Sequence, residues 1–84
     1  MSAMEASRVK ELIERALPTA TVEVRDFTGT GDHFEALVVS ELFEGKSLVE
    51  RHQAVYRALS EPMRGPIHAL KLKALTPREN RERR

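Results

Sequence analysis

TVEVRDFTGTGDHFEALVVSE, residues 21–41, is the stretch that decides the fold. Val22 and Val24 alternate with Glu23 and Arg25, the period-two pattern of a half-buried strand over residues 21–27. Gly29-Thr30-Gly31-Asp32 supplies turn chemistry, and residues 33–41 are rich in Phe, Leu and Val, so the pair reads as an antiparallel hairpin. Upstream, Val9, Leu12, Ile13 and Ala16 fall at i, i+3, i+4 and i+7, one apolar stripe of an amphipathic helix. Ser2 and Glu5 offer it a capping box, and Pro18 disfavours helical geometry at Leu17, which sets its end.

Downstream, Gly45 and Lys46 close the second strand, and Ser47 with Glu50 forms a second capping box. The helix that follows places Leu48, Val49, Val55, Tyr56 and Leu59 at helical spacing, with His52 on the side of Leu48 and Tyr56. Ser60-Glu61-Pro62 can open one further short turn, which Gly65-Pro66 ends. Residues 67–75 alternate again, with His68, Leu70, Leu72 and Ala74 on one face and Lys71 and Lys73 on the other. Thr76-Pro77-Arg78-Glu79 is a third capping box with proline at the first helical position. The predicted order is α-β-β-α-α-β-α: an α+β single domain whose three-stranded mixed sheet is covered mainly on one face by the two longer helices. The second and third strands flank a β-α-β crossover, which is right-handed with parallel strands in nearly all cases.

Eighty-four residues allow one small domain. Such a domain buries only about 60 to 65% of its unfolded surface, so any functional site should be shallow. Cysteine is absent, which removes disulfides, thiolate metal sites and thiol nucleophiles together. No apolar run approaches the ~18 residues of a bilayer span, and the charged N-terminal stretch cannot form the apolar core of a secretory signal peptide. A cytoplasmic, membrane-free protein is expected. Four of the fourteen basic and two of the thirteen acidic residues lie in the charged tail, residues 78–84, which leaves ten and eleven in residues 1–77. That near-neutral balance gives no general hold on phosphate backbones.

Parallel strands begin at the same edge of their sheet, and His33 opens the second strand while His68 opens the third. Adjacent strands lie ~4.8 Å apart, so the two imidazoles can come within reach of one metal centre. Each also has a plain structural reading as a polar residue at the sheet rim. His68 is the more suggestive, because alternation turns it toward the helix-covered side, where an unpaired polar ring is costly. His52 lies mid-helix and reads as a ring packed partly against the sheet. Gly29-x-Gly31 fails as a phosphate loop because no helix follows it. No Ser or Cys sits in a nucleophile elbow or triad beside Asp32 and His33, so the chain is not expected to be an enzyme.

Asp32-His33-Phe34 leading to Val38-Val39-Ser40, then Phe43-Glu44-Gly45-Lys46, Arg51-His52-Gln53 and Ile67-His68-Ala69-Leu70 resemble the BolA family over residues 5–77. The four motifs occur in the right order and spacing. The resemblance implies a BolA-like domain over residues 1–77 with a fold like that of class II KH domains. It also implies a partnership with a monothiol glutaredoxin, the two chains forming a heterodimer around a bridging [2Fe-2S] cluster, for iron-sulfur trafficking or iron and redox regulation. The family's histidine at the start of the last strand maps onto His68, and its second ligand, a histidine or cysteine in the hairpin loop, maps onto His33, which makes this a histidine-type member. No cluster is expected on the isolated chain, because without cysteine the thiolates must come from the partner, with glutathione bound there. The alternative is a DNA-binding transcriptional regulator with a KH-like fold. Against it, residues 60–65 hold one glycine where a KH domain has a GxxG clamp.

Overall fold

A computed structural model describes residues 5–26, 28–29, 33–60 and 69–83. Helix α1 (Ala6–Ala16) leads into strands β1 (Thr21–Asp26) and β2 (His33–Val39), a 3-10 turn (Glu41–Phe43), helix α2 (Leu48–Ala58), strand β3 (Ala69–Leu75) and helix α3 (Pro77–Glu82). Beyond Ser60, the short turn expected to open at Ser60-Glu61-Pro62 and end at Gly65-Pro66 lies outside the described residues.

The sheet is mixed and ordered β1-β2-β3. β1 and β2 are antiparallel, with Val22 opposite Val38 and Val24 opposite Ala36. β2 and β3 are parallel, with Phe34 opposite Leu70, Ala36 opposite Leu72 and Val38 opposite Ala74. These inward positions meet Val9, Ile13 and Leu17 of the first helical segment and Val55 and Leu59 of the second in one core. The other rows, Glu23, Arg25, Glu35, Leu37, Lys71 and Lys73, form the face turned away from α1 and α2. The expected α+β architecture is therefore the observed one.

Several details differ from the sequence expectation. α1 begins at Ala6 with Glu5 at its N-cap and no side-chain cap bond, so Glu5 does not stand at the third position of a Ser2 capping box. Its buried row is Val9, Ile13 and Leu17, and Ala16 is exposed: the chain leaves the helix at Leu17, which swings that side chain onto the core in place of Ala16. β2 ends at Val39 because the Ser40 hydroxyl accepts from the Leu42 N–H at 3.0 Å and starts the 3-10 turn. Gly45, at φ +75°, takes the left-handed conformation that reverses the chain before α2.

The largest difference lies on α2. Its buried row is Arg51, Val55 and Leu59, whereas Leu48 and Val49 are each 65% exposed and Tyr56 39%. One residue turns a helix by 100°, so Tyr56 stands a quarter turn round from Val55 and leaves the core. The His52 ring is half-buried and meets Tyr56 edge-on, centroids 6.1 Å apart. The capping boxes at Ser47 and Thr76 form as expected.

Candidate functional site

The starts of β2 and β3 make one rim of the sheet. Phe34 is fully buried and in register with Leu70 of β3 and Asp26 of β1, which anchors the beginning of β2. His33 precedes it as the first residue of the strand, half-buried, and its Cα partner across the parallel ladder is Ala69. Ala69 is the residue that follows His68 in the chain. His68 itself lies outside the described residues, and so does the expectation that it turns to the helix-covered side.

Strand parity adds a constraint. His33 shares the face turned away from α1 and α2 with Glu35 and Leu37, while Phe34 and Leu70 open the covered face. His33 and the start of β3 thus lie level at one end of the sheet. Among the described residues no group of three or more His, Asp or Glu side chains gathers around a common metal position.

A groove of about 620 Å³ crosses the middle of the open face, lined among others by Glu23, Arg25, Glu35, Leu37, Lys71 and Lys73. Its walls do not include His33. Four cations, Arg25, Lys71, Lys73 and Arg83, line the groove with the two carboxylates Glu23 and Glu35; Arg25 donates to Glu35, and Glu35 is in register with Lys71.

The residue that sequence reasoning missed is Arg51. Its guanidinium donates from Nε to the Lys46 carbonyl at 3.0 Å and from Nη1 to the Ala74 carbonyl at 3.1 Å. It forks onto Glu79 of α3, Nη1 to Oε1 at 2.7 Å and Nη2 to Oε2 at 3.3 Å. The guanidinium carbon lies 5.9 Å from the centre of the buried Phe43 ring. The hydrogen bond from Arg51, joined by the Thr76 N–H, holds the Glu79 carboxyl below its ordinary value against a smaller effect of burial. One side chain thus ties α2, β3 and α3 together, and it occupies the outward carbonyl of Ala74 on an edge strand, a place otherwise open to strand addition. The available signal was an arginine in the first turn of the helix, on the stripe of Leu48, Val55 and Leu59, together with the Thr76-Glu79 box, 28 residues from Arg51 to Glu79.

Comparison with known proteins agrees with this fold. A family model described as BolA-like protein matches residues 8–79. BolA-like protein 1 of Mus musculus is 40% identical over 81 residues, which covers 88% of this chain and 59% of that protein. The acid stress protein IbaG of Escherichia coli is 39% identical over 77 residues, 90% of this chain and 88% of that protein. The solution structure of BolA1 from Mus musculus superposes with a TM-score of 0.83 at 38% identity, covering 93% of this chain and 69% of that one. The BolA domain of SufE1 from Arabidopsis thaliana gives 0.79 at 35% identity, covering 88% and 93%. The chain spans about three fifths of the length of the mammalian relatives it matches. With a family match from residue 8 to residue 79 and BolA folds that superpose over nearly all of its length, this chain belongs to the BolA-like family.

Proposed function

We propose that this chain pairs with a monothiol glutaredoxin and shares a bridging [2Fe-2S] cluster with it, His68 and His33 supplying imidazole nitrogens to one iron. The observation that carries the reading is the ladder register: His33 is level with Ala69, the chain neighbour of His68. A half-buried imidazole at a strand start, beside a fully buried Phe34, is held in place yet still reachable from outside the sheet. Neutral imidazole is a competent iron ligand, and in place of thiolate it raises a cluster's potential and makes retention pH-dependent. The chain has no cysteine, so the sulfur ligands come from the second protein. Family membership supports the reading, and so does the position of the rim, at the end of the sheet where a second protein can approach.

The test is reconstitution. The purified chain mixed with a monothiol glutaredoxin, ferrous iron, sulfide and glutathione should give a mixed complex whose visible absorption and circular dichroism differ from those of the glutaredoxin's own cluster. His68→Ala should return the spectrum to the glutaredoxin form. An unchanged spectrum for that variant, with the complex still formed, removes metal ligation and leaves an adaptor that only binds its partner.

A further inference from the structure

We propose that the groove on the face of the sheet turned away from α1 and α2 is a docking site for an acidic, extended segment of a partner protein. The ladder registers set two rows across it: Arg25, Glu35 and Lys71 stand level, and so do Glu23, Leu37 and Lys73. In the first row one carboxylate lies between two cations. In the second, uncharged Leu37 separates Glu23 from Lys73 by two strand spacings, roughly 10 Å at the backbone, and Lys73 makes no ion pair among the described residues. Arg83, at the end of α3, also lines the groove, and its Nε donates to the neutral Asn80 side chain at 2.8 Å.

The positive excess is local. Residues 1–77 hold ten basic and eleven acidic groups, yet the groove has more cations than carboxylates, gathered on β3 and the helix after it. A cleft with an excess of one sign draws in the opposite charge.

Size and lining say in what form that charge arrives. A volume of about 620 Å³ takes a few residues of chain and not a folded domain. Lys71 and Lys73 are two residues apart on one strand, about 6.8 Å, the interval at which an extended peptide presents alternate side chains. Half-buried Leu37 is level with Lys73 and gives the methylene stems of glutamates an apolar floor. No aromatic side chain is among the described residues that line the groove, so a nucleobase finds no stacking platform there. An acidic peptide fits these features better than a nucleic acid strand does.

Fluorescence anisotropy tests this with a dye-labelled peptide of alternating glutamate and serine, titrated at neutral pH and low salt with the chain up to about 1 mM. The walls exclude His33, so the measurement does not depend on cluster binding. Saturable binding is expected with a Kd on the order of 100 μM, as befits a small contact, and added salt should weaken it. Lys73→Glu and Arg83→Glu should each weaken binding about tenfold, whereas Glu23→Gln removes a like charge and should tighten it about twofold. Lys10→Glu makes the same change in net charge on α1, away from the groove, and should leave the affinity as it is. All four side chains are exposed, so far-ultraviolet circular dichroism should stay that of the parent. Absence of saturable binding, a Lys73→Glu chain that binds as the parent does, or equal losses in Lys73→Glu and Lys10→Glu overturns the proposal. So does tighter binding of a single-stranded DNA oligonucleotide of the same charge, lost in Lys73→Glu, which would assign the groove to nucleic acid.

Discussion

Replacing Arg51 by alanine should be among the most damaging single polar changes in this fold. The side chain is 9% exposed and donates to two carbonyls and a carboxylate. Without it the Ala74 carbonyl loses its outward partner, and an orphaned buried acceptor costs about 1 to 3 kcal/mol. Losing its packing over Phe43 adds to that. Removing one member of a fully buried ion pair costs about 3 to 5 kcal/mol, but Glu79 is 43% exposed and water reaches the carboxylate left behind. A figure of about 3 kcal/mol follows. In a domain of this size 1 kcal/mol moves Tm by about 4 to 8 °C, so the midpoint should fall by roughly 12 to 24 °C. Differential scanning calorimetry from pH 3 to pH 7 measures it and supplies a second readout. The Glu79 carboxyl is held below its usual 4.5, first by the Arg51 hydrogen bond. The folded state then binds fewer protons than the unfolded, so this stabilisation is complete above pH 4.5 and is lost as the pH falls through the depressed folded value. In the alanine variant the acid-side loss should shrink, and the gap between parent and variant should narrow below pH 4.5. A variant within about 3 °C of the parent at pH 7, or a gap that does not change with pH, would refute the clamp.

Three further outcomes follow from the same structure. Ser47→Ala removes a hydroxyl that accepts the Glu50 N–H at 3.1 Å, and urea unfolding should report a loss of about 1 kcal/mol, with Thr76→Ala costing as much or more because that side chain is buried. Phe34→Ala empties the centre of the core at the start of β2 and should cost about 3 to 5 kcal/mol, enough to leave a measurable unfolded fraction at 25 °C by circular dichroism. His33→Ala, at a half-buried rim position, should keep the parent's unfolding midpoint within a few degrees while altering the spectrum of the reconstituted mixed complex; a large drop in Tm would mark His33 as structural.

The alternation of Val22 and Val24, the Gly29 turn and the Phe-Leu-Val run after it made the hairpin legible, because period two has one physical meaning in a sheet that is covered on one side. The capping boxes at Ser47 and Thr76 were legible for a similar reason: the hydroxyl and the carboxylate are three residues apart and need no tertiary information. The outer face of α2 was not. Val49 and Tyr56 have the composition of a core and the angular position of a surface, while Leu48 shares the stripe of Val55 and Leu59 and is exposed because it stands at the very start of the helix. Arg51 was hidden for a different reason, since its value depends on Glu79 and Ala74, which the crossover and β3 bring to it. Of the candidate site, His33 at a strand start could be read directly. Its level with Ala69 could not, because register is set by which apolar pairs meet, here Phe34 with Leu70.

The most direct test of the functional account is pulsed electron paramagnetic resonance on the reduced mixed cluster, with ¹⁵N-histidine incorporated only into this chain. Strong hyperfine coupling to two directly bound nitrogens, reduced to one in His68→Ala and to one in His33→Ala, is the predicted result. A cluster formed in the mixed complex with no strongly coupled ¹⁵N would contradict it.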